Sequence, residues 1–339
     1  MKKIISLVFF WQILITATAT ATAKDLLDVP IGISPVMSSA AMFIAKERGY
    51  FEEQGINPVI NPFKASGAKM VPFLATGQLF VGGGNISAGM YNAIAQDIPI
   101  KIVSDKGTVS PGHGYLALLV RKDHVDSGRY KSFKDLKGMT MAVTAKGVSQ
   151  EIVTEMYLKK VGLSLGDIKL RHLAYSDINI ALANKGIDAS VQIEPFVAAA
   201  VDKGFAVRVA GDDEIYPNQQ SAGIYYSPVF MEKHPQHAKG FMVAYVKGLR
   251  DYNDAFEKNQ GKEEIIRILT KHTRIKDRKI YLNVVPVGLS PDGLVNEKSL
   301  QDDANWYFER GYAKKKPNIS QIVDLSYAKN AVKVLGSYQ

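Results

Sequence analysis

The chain is predicted to have an α/β fold of two lobes, each built on a mainly parallel sheet flanked by helices, followed by a helical C-terminal tail. Strand and helix patterns alternate from Val29 onward, which is typical of parallel sheets covered by helices. The alternation begins again with a strand at Tyr115, which indicates a second α/β unit. After Pro235 only helical patterns follow. Two lobes joined by crossing strands would place a ligand between them, beyond the carboxyl ends of the strands.

The composition is that of a globular protein. The chain has 339 residues, of which 46% are hydrophobic and 22% charged, and this length is typical of about two domains. These values exclude a disordered chain, a collagen-like repeat and a multi-span membrane protein. There is no cysteine, which excludes a disulfide framework, a cysteine-based metal site and a thiol nucleophile.

Residues 1–23 have the pattern of a secretory signal peptide. Lys2 and Lys3 precede an apolar run, and small residues follow up to Ala23. The apolar run is shorter than the ~20 residues that a membrane span needs. The pattern therefore predicts export to the periplasm. In an exported protein, a formal charge of +9 is explained by a basic surface or by the attraction of anionic solutes. We expect no nucleic-acid partner.

The element boundaries follow from apolar periodicity and from the stop signals of glycine and proline. In the first unit, strands are predicted at Val29–Ile33, Ile56–Phe63, Leu79–Val81 and Ile100–Ser104, and helices at Ala40–Arg48, from Ser66-Gly67 to Gly77, and at Ile86–Gln96 with Asn85 as its cap. In the second, strands are predicted at Tyr115–Val120, Met139–Val143, Ile168–Leu173, Ala189–Ile193, Ala206–Ala210 and Gly223–Tyr226, and helices from Gly147 to Lys160, at Ile178–Asn184 and from Pro195 to Lys203. Tail helices are predicted at Ala238–Phe256, Glu263–Leu269, Leu300–Glu309 and Ser326–Val334.

Several motifs in this order resemble those of a known family. Ala45–Gly49 is followed by Tyr50-Phe51 and Gly55-Ile56, then by Ser66-Gly67 and Gly77–Gly82, and the stretch "LANKGIDASVQIEPF" comes later. Together they resemble the nitrate/sulfonate/taurine-binding family, the SsuA-like proteins, which include relatives for thiamine pyrimidines. The family usually has Asp at the position of Phe80.

This resemblance implies the two-lobe periplasmic binding protein fold (type II) with a two-strand hinge. It implies a first lobe of residues 24–120 plus 222–339 and a second lobe of 121–221. It also implies a monomeric solute-binding protein that captures a sulfonate, a taurine-like solute, an aromatic carboxylate or a pyrimidine and delivers it to the permease of an ABC importer. An exported enzyme or a sensor partner on the same fold is the alternative.

The candidate ligand-binding residues stand where strands lead into helices. Helix N-termini offer unpaired N–H groups, glycine allows close backbone approach, and hydroxyl or amide side chains add donors. The same residue types are also ordinary helix caps, so each position has a purely structural alternative. The candidates of this kind are Ser38, Ser39, Ser66, Gly67, Asn85, Thr144, Lys146, Gly147 and Ser149.

Two further candidates end a strand of the second unit. Gln192 and Glu194 are expected to face the cleft. Glu194 either accepts a hydrogen bond from the ligand, pairs with Lys146, or anchors the helix that follows Pro195. Tyr115 and Tyr175 are among the tyrosines near strand ends whose rings could stack on a planar ligand or pack in the core.

No catalytic, cofactor or metal motif is present in the sequence. G-x-S-x-G, H-E-x-x-H and the P-loop are all absent, and the glycines of "VGGGN" do not have dinucleotide-binding spacing. Six histidines are present, and only His234 and His237 are close in sequence, next to a predicted helix start. We therefore expect no enzyme activity, no cofactor and no metal.

Overall fold

The structure, a computed structural model, describes residues 25–63, 67–96 and 98–339. The predicted signal peptide and Ser66 lie outside the described residues. Two five-stranded sheets organise the rest of the chain.

The first sheet has the strand order β2-β1-β3-β10-β4. Its strands β1, β2 and β3 are parallel, and β10 lies antiparallel between β3 and β4. Alternate residues of β1, namely Val29, Ile31 and Ile33, are buried, which is the period-two pattern of a strand. The bounds are β1 Leu27–Ile33, β2 Ile56–Pro62, β3 Val81–Asn85, β4 Lys101–Thr108 and β10 Gln220–Tyr226.

The second sheet has the order β7-β6-β8-β5-β9, with β5 antiparallel between β8 and β9. Strands β6, β7 and β8 are parallel. Each sheet thus has a single reversed strand in an otherwise parallel arrangement. The bounds are β5 Ala117–Arg121, β6 Thr140–Val143, β7 Lys169–His172, β8 Ala189–Gln192 and β9 Ala206–Gly211.

Helices flank both sheets, and most of the C-terminal ones pack on the first sheet and its neighbours. Helix α10 packs against α1 and α14, and α13 contacts β10. The helices are α1 Ala40–Glu47, α2 Tyr50–Glu53, α3 Val71–Ala75, α4 Ala88–Ile94, α5 Lys122–Asp126, α6 Ser149–Lys159, α7 Tyr175–Ala183, α8 Phe196–Asp202, α9 Pro228–Lys233, α10 Pro235–Glu257, α11 Lys262–His272, α12 Arg278–Leu282, α13 Glu297–Glu309 and α14 Ser326–Leu335.

We call the first sheet with α1–α4 and α9–α14 the first lobe, and the second sheet with α5–α8 the second lobe. The chain crosses between the sheets twice, once between β4 and β5 and once between β9 and β10. The first crossing comes before Ala117, slightly earlier than the hinge expected near Val120. The second crossing comes before Gln220, close to the expected hinge near Ala222.

The element prediction is wrong at the end of β3, and this affects the site. The glycines before Asn85 belong to β3 itself, and Asn85 is the last residue of that strand. Helix α4 begins two residues after the predicted start, and Ser87 is its cap, because the Ser87 hydroxyl accepts from the Met90 N–H. The Asn85 side chain is therefore free for other contacts.

Pro72 interrupts the helix predicted from Ser66-Gly67 to Gly77. The chain forms a short 3-10 helix at Gly67–Met70, and α3 starts at Val71 with Pro72 in its first turn. A proline is tolerated there because first-turn N–H groups have no partner within the helix.

Candidate functional site

The two lobes are in contact at the carboxyl ends of their strands. Ser87 and Val148 form an antiparallel bridge between the lobes. The Ala88 N–H donates to the Gly147 carbonyl at 2.9 Å, and the Ser149 N–H donates to the Ile86 carbonyl at 3.3 Å. These main-chain bonds join the segment before α4 to the segment before α6, so the cleft is closed.

Asn85 lies at the centre of a hydrogen-bond cluster that joins both lobes. It is 3% exposed. Its side-chain Oδ1 accepts from the hydroxyls of Tyr115 and Tyr175, each at 3.1 Å. Its Nδ2 donates to Ser149 Oγ at 3.1 Å. Because Tyr115 lies in the first crossing segment and Tyr175 and Ser149 in the second lobe, Asn85 connects three parts of the fold. We call Ser38, Asn85, Lys106, Tyr115, Ser149 and Tyr175 the cleft cluster.

Ser38 belongs to this cluster through a lysine that the sequence analysis missed. Lys106 is 1% exposed, and its Nζ donates to Ser38 Oγ at 2.8 Å. Ser38 Oγ lies 3.5 Å from the Tyr115 hydroxyl. Burial lowers the pKa of the Lys106 ammonium to about 7, and the nearby Asp105 charge opposes this shift. Lys106 was missed because the strand was predicted to end at Ser104, whereas β4 continues to Thr108.

Ser39 does not belong to the cluster. Its hydroxyl donates to the Ser34 carbonyl at 2.7 Å and forms no cap bond to α1, although Ser39 occupies the cap position. Gly67 begins the 3-10 helix at Gly67–Met70. Ser39 thus fixes the loop after β1.

The turn before α6 is held by carboxylate and amide side chains of that helix. The Thr144 N–H donates to Gln150 Oε1 at 2.9 Å, and the Thr144 hydroxyl bonds the same oxygen. Gly147 has φ +68°, a conformation that glycine adopts without strain, and its N–H donates to Glu151 Oε2 at 2.7 Å. The turn therefore presents Ser149 to Asn85 in a fixed position.

Lys146 lies at the edge of the lobe contact. The residue is exposed, and its Nζ lies 4.9 Å from the centre of the Tyr312 ring in the first lobe. This cation–π contact adds to the closed arrangement. No ion pair joins Lys146 to Glu194 within the described part of the chain.

Gln192 positions a tyrosine of the cleft cluster. Its Nε2 donates to the Tyr175 carbonyl at 2.9 Å and to Asn179 Oδ1 at 3.1 Å, and its Oε1 accepts from the Ile193 N–H at 3.0 Å. Both the amide nitrogen and the amide oxygen of Gln192 thus form hydrogen bonds within the second lobe. Gln192 therefore fixes the start of α7, from which the Tyr175 hydroxyl reaches Asn85.

Glu194 anchors a helix and joins the lobes at the same time. Its Oε2 accepts from the Ala198 N–H at 3.0 Å, and its Oε1 accepts from the Val285 N–H of the first lobe at 3.3 Å. Its main-chain carbonyl accepts from the Met37 N–H at 3.1 Å, a second contact between the lobes. Burial raises the pKa of the Glu194 carboxyl to about 7. The sequence left three roles open for Glu194, and these contacts favour its role as the anchor of the helix that follows Pro195.

A narrow opening beside the cluster is lined by aromatic rings. Phe63, Tyr175 and Phe196 surround a space of about 10 Å³, together with Arg274 of the tail. The Tyr175 and Phe196 rings are stacked, with centroids 6.1 Å apart. A space of this size holds about one water, so a larger ligand requires the lobes to separate here.

Comparison with known proteins identifies the family. The profile of the NMT1-like family matches residues 23–270. The chain belongs to the NMT1-like family. A candidate binding protein of Brucella abortus (strain 2308) is 24% identical to it over 298 residues, covering 83% of this chain and 86% of the relative.

Solved structures show the same fold. The alkanesulfonate-binding protein SsuA of Xanthomonas axonopodis pv. citri, bound to MOPS, is 19% identical, with a TM-score of 0.70 over 89% of this chain and 99% of that one. The periplasmic nitrate-binding protein NrtA of Synechocystis PCC 6803 is 14% identical, with a TM-score of 0.75 over 93% of this chain and 90% of that one. The two-lobe periplasmic binding protein fold and the SsuA-like resemblance predicted from the sequence are therefore confirmed.

One similar structure is that of an enzyme. The desulfurization enzyme DszB is 12% identical to this NMT1-like chain, with a TM-score of 0.62 over 91% of it and 99% of the enzyme. The fold therefore occurs in both binding proteins and enzymes. Among the described residues, no group of three or more His, Cys, Asp or Glu side chains is arranged to hold a metal ion. Nor does any described helix have the length and apolar character needed to cross a membrane.

Proposed function

We propose that this NMT1-like protein is an extracytoplasmic solute-binding protein that captures a small organic solute between its lobes and delivers it to an ABC-type permease. The solute classes considered are sulfonates, taurine-like solutes, aromatic carboxylates and pyrimidines. The proposal includes two lobes, predicted from the sequence as 24–120 plus 222–339 and 121–221, with their limits moved to the crossings before Ala117 and before Gln220. It also includes a periplasmic location and a monomeric state. The binding-protein relatives of the same family and fold support it.

The observation that carries this proposal is the position of Asn85. A single buried amide at the end of β3 bonds a hydroxyl of the crossing segment and two hydroxyls of the second lobe. Opening the lobes would break the bonds to Tyr175 and Ser149 and expose their polar atoms. A solute that bonds the same atoms from both lobes would stabilise the closed state, which is how ligand binding shifts a hinge equilibrium.

A thermal-shift screen of the purified protein tests the proposal. The panel contains sulfonates, taurine, nitrate, aromatic carboxylates and pyrimidines, and calorimetry follows on compounds that raise Tm. Small-angle X-ray scattering should show a more compact protein with a bound solute, and mass spectrometry should recover that solute unaltered. Conversion of the solute would instead support the enzyme alternative. A panel that neither binds nor changes the compactness of the protein would contradict both.

A further inference from the structure

Lys106 is a buried cation without an anionic partner in the cleft cluster. Its side chain extends from β4 across Gly83 of β3, where a Cβ atom would lie 3.0 Å from Lys106 Cδ, and ends at Ser38. An ammonium group has three N–H donors, and the Ser38 hydroxyl accepts one of them. No ion pair to Lys106 is formed by the residues that the structure describes.

Asp105 does not neutralise this charge by direct contact, because its carboxylate bonds other groups. Its Oδ1 accepts from the Gly107 N–H at 2.9 Å, the Thr108 hydroxyl at 2.7 Å and Gln220 Nε2 at 2.6 Å. Its Oδ2 accepts from the Ser290 N–H at 2.7 Å. Neighbouring side chains of a strand point to opposite faces, so Asp105 and Lys106 diverge.

The other titratable groups near the cluster are neutral or bound elsewhere. Burial raises the pKa of the Tyr115 and Tyr175 hydroxyls, so both remain neutral phenols at physiological pH. The Glu194 carboxyl accepts from main-chain N–H groups on α8 and at Val285. The cleft cluster therefore contains one cation and no anion.

An unpaired charge in such a place is costly to the folded protein. Buried charges in proteins are ordinarily paired, and an unpaired one shifts its pKa toward the neutral form. The lowered pKa of Lys106 fits this rule. A ligand that brings a negative charge to Lys106 would remove the penalty, whereas a neutral or cationic ligand would leave it in place.

We propose that Lys106 binds an anionic group of the solute, a carboxylate or a sulfonate, with Ser38 as a second contact. This inference rests on the proposed function and narrows its solute classes, because it excludes neutral pyrimidines. The ring of Tyr175 joins the cluster to the aromatic opening formed with Phe63 and Phe196. Once the lobes separate at this opening, an apolar, planar remainder of the anion would stack on those rings.

Anion binding is accompanied by proton uptake. A nearby negative charge favours the protonated form of a lysine, so the pKa of Lys106 rises when the anion binds. Lys106 contacts Ser38, and the Tyr115 hydroxyl lies next to Ser38. Asp105, whose carboxylate bonds other groups, acts on Lys106 only through its charge. At pH 7.5 the free protein carries a partly deprotonated Lys106, and the complex carries the ammonium. Binding therefore takes up a fraction of a proton per site.

Calorimetry with matched anionic and neutral probes tests the assignment. The pairs are benzoate with benzamide and propanesulfonate with propanesulfonamide, each titrated at pH 7.5 in Tris and in bis-Tris, since anionic buffers would compete. We expect at least one anion to bind and its neutral partner to bind at least about tenfold more weakly. The binding enthalpies in the two buffers should differ in the direction of proton uptake.

Lys106→Met removes the charge and keeps an unbranched side chain. We expect the binding anion to lose about 10- to 100-fold in affinity and the proton uptake to disappear. Without ligand, this variant should unfold at a higher temperature than the wild type, because it lacks the buried charge, and that readout also shows that it folds. Lys101→Met, at the far end of the same strand, is the control and should keep wild-type affinity.

The results separate this inference from the proposed function. Unchanged affinity in Lys106→Met, or equal binding of benzoate and benzamide, would overturn the role of Lys106. If a neutral pyrimidine binds and compacts the protein while no anion does, the inference fails and the binding-protein function stands. If no anion and no neutral solute in the whole panel binds, both fail.

Discussion

The indole Nε1 of Trp306 in the first lobe donates a 2.5 Å hydrogen bond to Oε2 of Glu155 in the second lobe. Arg310, the residue that follows α13, bonds the other oxygen of the same carboxylate. Glu155 is buried, and Lys159 lies 3.4 Å from it within α6. The Glu155 carboxylate of the second lobe therefore accepts hydrogen bonds from two residues of the first lobe. This contact does not involve Asn85, and it stabilises the closed arrangement of the lobes.

Replacing Glu155 with Ala should shift the hinge toward the open state. The variant loses both bonds between α6 and α13 and leaves the Trp306 N–H without its acceptor, so we expect apparent ligand affinity to fall by about 1–3 kcal/mol. Trp306 and Trp11 are the two tryptophans of the chain, and Trp11 lies within the predicted signal peptide. The fluorescence of the processed protein thus reports on Trp306, and its emission should shift to longer wavelength.

Lys159→Ala is the matched control for that experiment. It removes a contact of the same Glu155 carboxylate, but one made within α6, so the lobes should stay closed and the emission should not change. If Glu155→Ala leaves both the emission and the radius of gyration at wild-type values, the contact does not hold the lobes together.

Asn85→Ala should weaken solute binding by about 1–3 kcal/mol. The change removes the shared partner of the Tyr115, Tyr175 and Ser149 hydroxyls, and each loss of a buried partner has a desolvation cost. Calorimetry with the best compound of the screen measures the effect. Asn57→Ala, an exposed asparagine of β2 that bonds Asp28, serves as the control. Equal affinities in wild type and Asn85→Ala would remove Asn85 from the site.

Much of the fold could be predicted from the sequence because its signals are local. Alternating apolar residues mark β1, and the long amphipathic pattern after Pro235 marks α10. The reversed strands β5 and β10 could not be placed by pattern, since their positions depend on pairing with strands distant in sequence. The short helix α12 has a single turn of pattern, too little to distinguish it from a loop.

The sequence indicates where candidate site residues lie along the chain, but it does not show what each side chain does there. The position of ligand sites at strand ends predicted Ser38, Asn85 and Ser149 as binding residues, and the structure brings their side chains together in the cleft cluster. The same rule also selected Ser39, whose hydroxyl turns back to Ser34, because position alone does not fix the direction of a side chain. Lys106 was missed because it lies beyond the predicted end of the strand at Ser104 and because a lysine is ordinarily a surface residue. Only the tertiary structure shows that it is buried.

The stability of the ligand-free protein should depend on pH through Glu194. Its pKa is raised to about 7 in the folded state, against about 4.5 when the chain is unfolded, so the folded protein binds more protons between these values. The Glu194 contribution is therefore intact below about pH 4.5 and is lost as the pH rises to about 7. Glu194→Gln cannot titrate, so its free energy of unfolding relative to wild type should rise over this window, by about 3 kcal/mol at most.

Urea unfolding at pH 4.5, 6 and 7.5 measures this difference. Other titrating groups, such as Asp303, are shared by both proteins and cancel in the comparison. Glu232→Gln, an exposed residue of α9, provides a control whose difference from wild type should not vary with pH. If the difference in free energy of unfolding between Glu194→Gln and wild type is also the same at all three pH values, the pKa of the Glu194 carboxyl is not raised in the folded protein.

Two glycines of α10 provide a test of the packing that supports the first lobe. A Cβ atom on Gly248 would lie 2.2 Å from the carbonyl oxygen of Ala41, main chain of α1 that cannot move aside cheaply. A Cβ on Gly240 would lie 3.0 Å from the Cβ and 3.2 Å from the Oε1 of Gln54, a side-chain contact that a shift of a few tenths of an ångström would relieve. Gly248→Ala should therefore lower the free energy of unfolding by about 1–3 kcal/mol. Gly240→Ala should change the free energy of unfolding by less than about 1 kcal/mol in either direction, because better helix propensity offsets the close contact with Gln54. Both are measured by urea unfolding, and equal effects of the two changes would show that α1 and α10 are not in close main-chain contact at Gly248.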